Sequence, residues 1–289
     1  MDKLFCFSRA GVSIVLIMFT APLCAQDFAE FPSSVSLGFG FDDADANDQS
    51  IDIVLNGLTF DSSLSLGFAR GETRVDRPLS DLTDTFGIDS IQIGWASNPY
   101  SAIEFGADYS DWDSEGDFSI ASIAPWLALS EGNWTLGLTA ESRNIDARFG
   151  NGELASFDSR RYTLEVDWFS DDFYWLGASF SSADYSIDVS RIANSQAFIR
   201  LSPVARLFSF GLEDSAGELN AGTFLSDVLV DLSWRRSRSA VDDSEADTVS
   251  LAVNYPLEED LYANAEVGSQ RSDDSDSVTF FSFTFTAYW

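Results

Sequence analysis

The chain has 289 residues, with 16 lysines and arginines against 47 aspartates and glutamates, no histidine, and a formal net charge of −31. Such a balance repels nucleic acids and other polyanions, so no nucleic-acid partner is expected. An apolar content of 45% with 22% charged residues belongs to a folded chain rather than a disordered one.

The first residues carry Lys3 and Arg9, then an apolar run over residues 10–19, then small residues ending at Ala25. This is the pattern of a secretory signal peptide, with cleavage placed after Ala25. Residues 1–25 are therefore read as the signal and residues 26–289 as one large domain. The run is shorter than the ~20 apolar residues of a spanning helix, and no later segment reaches that length. Leu23 stands where lipoprotein processing prefers a small residue, which argues against Cys24 as a lipid anchor. Cys6 and Cys24, both methionines and the lone lysine all fall inside the signal. Removing Asp2, Lys3 and Arg9 leaves 14 arginines against 46 carboxylates. The exported chain can form no disulfide, and its fold rests on the backbone ladder.

Alternating segments follow at nearly regular spacing, as strands with one apolar face require. Val35, Leu37, Phe39 and Phe41 oppose Ser36, Gly38 and Gly40. Ile51 and Ile53 oppose Asp52; Leu64, Leu66 and Phe68 oppose Ser65 and Gly67; Ile91, Ile93 and Trp95 oppose Gln92 and Gly94. Ile103, Phe105 and Tyr109 oppose Glu104, Gly106 and Asp108, whereas residues 118–129 are mixed and carry Pro125. Trp134, Leu136 and Leu138 then oppose Thr135 and Gly137; Tyr162, Leu164, Val166 and Trp168 oppose Arg161, Glu165 and Asp167; Tyr174, Leu176 and Phe180 oppose Gly177 and Ser179. A weaker strand is read at Ala197, Ile199 and Leu201 around Arg200. Val228, Val230, Leu232 and Trp234 oppose Asp227 and Asp231; Val249, Leu251, Val253 and Tyr255 oppose Ser250 and Asn254; Leu261, Ala263, Ala265 and Val267 oppose Asn264 and Glu266. The last strand sets Thr279, Phe281, Phe283, Phe285, Ala287 and Trp289 against Ser282, Thr284, Thr286 and Tyr288. The count is 14, an even number; residues 201–224 carry no clear pattern, so 12 and 16 are the alternatives.

Short turns are expected near Asn98-Pro99 and over residues 130–133, 170–172 and 256–260. Longer acidic connections are expected over residues 42–50, 70–84, 110–117, 143–159, 183–195, 235–246 and 269–276. Trp95, Tyr100, Trp134, Trp168, Tyr174, Trp175, Tyr255, Tyr262 and Trp289 sit by the short turns. Tyr109, Trp112, Tyr185 and Trp234 sit toward the other end. Aromatic rings with a polar edge gather at membrane–water boundaries, so two girdles are expected. These features define an all-β, transmembrane, antiparallel up-and-down β-barrel of about 14 strands.

The signal peptide, paired strands, thiol-free mature chain and aromatic final strand resemble Gram-negative outer-membrane β-barrels of the porin type. The resemblance spans the mature chain and is architectural. It implies an outer-membrane location, lipid and lipopolysaccharide as surroundings, and insertion by the barrel-assembly machinery. That machinery recognises the final aromatic strand, matched here by Phe281, Phe283, Phe285 and Trp289, although phenylalanine is more usual than tryptophan at the last position.

Without histidine, and without lysine or cysteine after cleavage, Ser–His–Asp triads, Cys–His pairs, Schiff bases and histidine-based metal sites are ruled out. No enzyme and no cofactor is expected. Asp43, Asp45 and Asn47 match the start of an EF-hand loop, but Asp48 stands where glycine is required and Val54 where glutamate is. The acidic loops are read as a solvated surface, weak divalent-cation bridging to headgroup phosphates being the one metal contact they allow. The inward face is expected to carry Asp52, Glu104, Asp108, Glu165, Asp167, Asp227, Asp231 and Glu266, with Arg161 and Arg200 as its few cations. A wet lumen with that lining favours cations, so the expected function is passive, cation-preferring diffusion of small solutes. The rival readings are a non-conducting structural or adhesion barrel acting through acidic loops, and a soluble secreted β-protein.

Overall fold

The computed structural model describes residues 32–43, 46–57, 62–76, 83–97, 102–114, 118–148, 154–170, 174–189, 212–240, 243–272 and 275–289. The expected signal peptide, Arg200 and the expected strand around it lie outside these residues. Fourteen strands run in chain order: β1 (Ser34–Asp42), β2 (Asn47–Leu55), β3 (Ser63–Asp76), β4 (Thr83–Ser97), β5 (Ile103–Ser114), β6 (Phe118–Glu131) and β7 (Trp134–Arg148), then β8 (Leu154–Phe169), β9 (Tyr174–Tyr185), β10 (Glu213–Leu225), β11 (Val228–Ser239), β12 (Glu245–Glu258), β13 (Leu261–Ser272) and β14 (Ser275–Tyr288). Each pairs antiparallel with its sequence neighbours, and β1 pairs with β14, so the sheet is a closed barrel. Closure leaves no edge, which lets every strand satisfy its backbone donors and acceptors without water.

The seam is tight. Val35 faces Ala287, Leu37 faces Phe285, Phe39 faces Phe283 and Phe41 faces Phe281. The Phe41 and Phe281 rings stack with centroids 5.3 Å apart. Beyond the last rung, Ser33 and Trp289 exchange two backbone hydrogen bonds of 3.1 and 3.0 Å. The face carrying these rings is exposed to the surroundings all round the barrel, through Phe68, Ile93, Phe105, Leu138, Leu164, Leu176, Leu232 and Leu251 among others. A band of that kind is soluble only in lipid.

Five sequence expectations change. The tenth strand is β10 at Glu213–Leu225, inside the stretch that carried no pattern. Its outward side presents Gly217, Leu219, Ala221 and Thr223, too little apolar bulk to alternate visibly. Second, most of the expected long loops are strand. Residues 47–50, 70–76, 110–114, 143–148, 154–159, 183–185, 235–239 and 269–272, all expected as loop, belong to β2, β3, β5, β7, β8, β9, β11 and β13. Outside the lipid band a strand no longer needs an apolar face, so its polar extension reads as loop. Third, Trp112, Tyr185, Trp175 and Tyr262 point into the barrel rather than joining a girdle, while Tyr109, Trp234, Trp95, Trp134, Tyr174 and Tyr255 do lie outside. Fourth, Asp227 stands exposed in the two-residue turn after β10 and does not line the wall. Fifth, β6 is continuous: Pro125 faces outward opposite Ala107, and Trp126 faces in.

The register makes a direct prediction. Phe283→Asp removes an aromatic ring from the lipid band and puts a carboxylate there, a charge disfavoured in a depth-dependent way on that face, and Thr284→Asp places it in the lumen. Heat-modifiable migration in detergent is expected to be lost for the first variant and retained for the second.

Candidate functional site: the lumen wall

Strand alternation assigns the inward side chains, and they divide by height. In the half next to the short turns the inward charges are Asp52 on β2, Glu104 and Asp108 on β5, Glu165 and Asp167 on β8, Asp231 on β11 and Glu266 on β13. Among the described residues, no cation faces the lumen in that half. The inward cations, Arg143 on β7, Arg161 on β8 and Arg235 on β11, stand farther up, toward the β9–β10 connection. The described candidates from sequence, Asp227 apart, therefore lie on one wall surface. Arg143, Arg235, Glu213 and Glu218 are lumen residues that the sequence reading did not single out. Glu213 and Glu218 were hidden with β10, and Arg143 and Arg235 lay in stretches read as loops.

The upper cations are held by carboxylates. Arg161 donates from Nη2 to Glu213 Oε2 at 2.7 Å and to Ser181 Oγ at 3.1 Å. Arg235 Nη2 donates to both Glu213 oxygens at 2.9 and 2.8 Å, and its Nη1 lies 3.6 Å from Glu218. A register shift between Glu213 and Ser215 turns Glu213 inward, and the Tyr185 hydroxyl donates to the Glu213 carbonyl at 2.7 Å. One carboxylate thus bridges guanidinium groups on β8 and β11. Charge-assisted, forked hydrogen bonds of this kind are the strong ones. Glu213→Gln leaves two largely buried guanidinium groups short of their counter-charge. A loss of about 3 kcal/mol is expected, readable as earlier unfolding in urea with the barrel held in lipid.

The lower carboxylates are placed by tryptophan. Trp126 of β6 sits opposite Gly106 of β5, and its side chain hydrogen-bonds Asp108. Trp175 of β9 sits opposite Gly222 of β10, and its Nε1 donates to Asp231 Oδ1 of β11 at 2.8 Å. A Cβ built on Gly106 or Gly222 would overlap the indole lying across it. Glycine is required there because the ring occupies the volume a side chain would fill. Phe280 lies over Gly268 in the same manner, beside Ala46. Glu266 accepts from Ser282 Oγ at 3.3 Å. Gly222→Leu is expected to displace Trp175 and free Asp231, costing about 1–3 kcal/mol by overpacking, whereas adding Trp175→Ala should recover part of that loss. Urea unfolding of the single and double variants reads the difference.

Of the calcium-like residues, Asp43 Oδ1 accepts from the Thr279 amide at 2.9 Å and Asn47 belongs to β2. Asp45 lies outside the described residues. Asp111 and Asp113 project outward from β5.

No protein-family model matches the chain, and no curated protein matches it in sequence. Solved structures do. The chain is similar to the CymD monoaromatic hydrocarbon channel at a TM-score of 0.59 and 8% identity, covering 90% of this chain and 89% of that one. A deletion mutant of the TodX monoaromatic hydrocarbon channel aligns at 0.55 and 10% identity over 91% and 92% of the two chains. An anion-selective porin from Comamonas acidovorans aligns more loosely, at 0.47 and 10% identity over 89% and 98%. The fold is that of the bacterial outer-membrane β-barrel channels.

Proposed function

We propose that the barrel is a passive channel for small solutes that prefers cations. The observation that carries this reading is the half of the wall next to the short turns, where the inward charges of the described residues are all carboxylates. Fixed negative charge along a wet path lowers the energy of cations and raises that of anions. Glycine at two inward positions lets the carboxylates lie against the wall, Asp52 over Gly67 and Asp108 over Gly94. A 14-stranded wall is also roughly 28 Å across between backbones, from the usual strand spacing and tilt. Lipid and lipopolysaccharide surround the apolar band. The barrel-assembly machinery reads Phe281, Phe283, Phe285 and Trp289, which all belong to the closing strand or its last rung.

One observation favours the rival, a non-conducting structural barrel. Glu104, Glu165, Asp167, Arg161 and Glu266 are all buried although they face inward. Side chains so enclosed fit a filled interior as well as a wet one.

Planar bilayers separate the two. Under a potassium chloride gradient the reversal potential is expected to lie on the potassium side, and Asp52→Asn with Asp108→Asn should lower the cation-to-anion permeability ratio about twofold. Absence of conductance would establish the non-conducting barrel, and a reversal potential on the chloride side would overturn the cation preference.

A further inference from the structure

Two buried donors on adjoining parts of the lumen wall lack an acceptor. Arg143 is 3% exposed and Trp112 is 4% exposed. Arg143 Nε and Trp112 Nε1 have no hydrogen-bond partner. Arg143 reaches only hydroxyls, donating from Nη2 to Ser159 Oγ at 2.9 Å and to the Tyr185 hydroxyl at 3.5 Å, with its guanidinium 5.8 Å from the Tyr185 ring. The other two inward guanidinium groups are engaged by Glu213 and Glu218, and Glu141, two residues along β7 from Arg143, sits opposite Arg161. Arg143 is thus a buried cation with no carboxylate in contact.

The register shows what surrounds it. Ser122, Arg143, Ser159 and Tyr185 form one row across β6 to β9. The next row toward the loops is Trp112, Ile120, Ile145 and Phe157, across β5 to β8, all buried and all facing in. An apolar row therefore lies against a row of hydroxyls centred on an uncompensated guanidinium. Buried polar hydrogens are nearly always paired, so two orphans on one patch mark the place of a missing acceptor. An apolar strip beside them specifies what the acceptor is attached to.

We propose that this corner of the lumen binds a small monocarboxylic acid with an apolar body. The carboxylate accepts from Arg143 and from the Trp112 indole, and the body lies along Ile120, Ile145 and Phe157. The site rests on the channel reading in that it selects one solute class within the same lumen. It does not conflict with a cation-preferring field, because the preference comes from the other half of the wall and the site from local contacts.

Isothermal titration calorimetry of sodium benzoate into the folded barrel in detergent tests the site without any current being measured. Saturable binding is expected, with benzyl alcohol (same ring, no charge) and acetate (same charge, no ring) each about tenfold weaker. Arg143→Gln should weaken benzoate about tenfold and Trp112→Phe, which keeps the ring and removes the donor, about threefold. Each variant is scored on protein that retains heat-modifiable migration. No saturable heat from benzoate, unchanged affinity in Arg143→Gln, or equal binding of benzyl alcohol would each overturn the proposal. A barrel that conducts but does not bind benzoate loses the site and keeps the channel; one that binds benzoate but never conducts keeps the site and loses the channel.

Discussion

Hydrogen bonding of the backbone in a medium without water is the constraint from which the rest of the structure follows. An unpaired amide in hydrocarbon costs several kcal/mol, so a sheet that crosses a membrane must close on itself. Closure here is completed by the first and last strands, and the rung-by-rung facing of phenylalanines across that seam supplies lipid-compatible surface where the sheet joins. Given closure, alternation does everything else. Each strand sends one set of side chains to lipid and the other to the lumen, and the inner set is free to be acidic, hydroxylated or absent.

The inner set is organised by two devices that recur. Indoles lie flat across glycines and hold aspartates on neighbouring or next-neighbouring strands, as Trp126 does at Gly106 and Trp175 at Gly222. Farther up, Glu213 ties guanidinium groups on β8 and β11. The first device fixes carboxylates without supplying positive charge, so it leaves them without a counter-charge. The second neutralises. The wall therefore differs along its height in net charge, with Arg143, one inward row beyond Arg161 toward the loops, the guanidinium that neither device uses.

Much of this was legible in the sequence. Period-two alternation gave the barrel and its even strand number because Phe, Leu and Ile on the lipid face stand out against Gly, Ser and Asp. It gave Asp52, Glu104, Asp108, Glu165, Asp167 and Glu266 as inward residues by parity alone. It fails where the lipid face is small, as on β10, whose outward Gly217 and Ala221 send no signal. It also fails where strands outrun the membrane, since polar ladders such as the end of β5 resemble loops. Trp112, Trp175 and Tyr262 were assigned by residue type when parity, shared with Asp108, Gly177 and Asn264 respectively, already put them inside. Asp227 was the reverse case, a residue of inward parity sitting in a turn. The links from Arg161 to Glu213 and from Trp175 to Asp231 span strands that are not adjacent, and no local pattern encodes such pairs.

The Ser33–Trp289 rung joins the start of the described wall to its end, so among the described residues the backbone contact of greatest sequence separation is also the one that completes the wall. Until the last strand is present, β1 has one unpaired edge, and no local substructure can stand in for it. Composition suits a chain that must wait in this condition. With 47 aspartates and glutamates against 16 lysines and arginines its unfolded form repels both itself and its copies. The acidity that lines the finished wall thus also serves the chain before there is a wall, by keeping an open-edged, aromatic-rich polypeptide apart from its neighbours during transit.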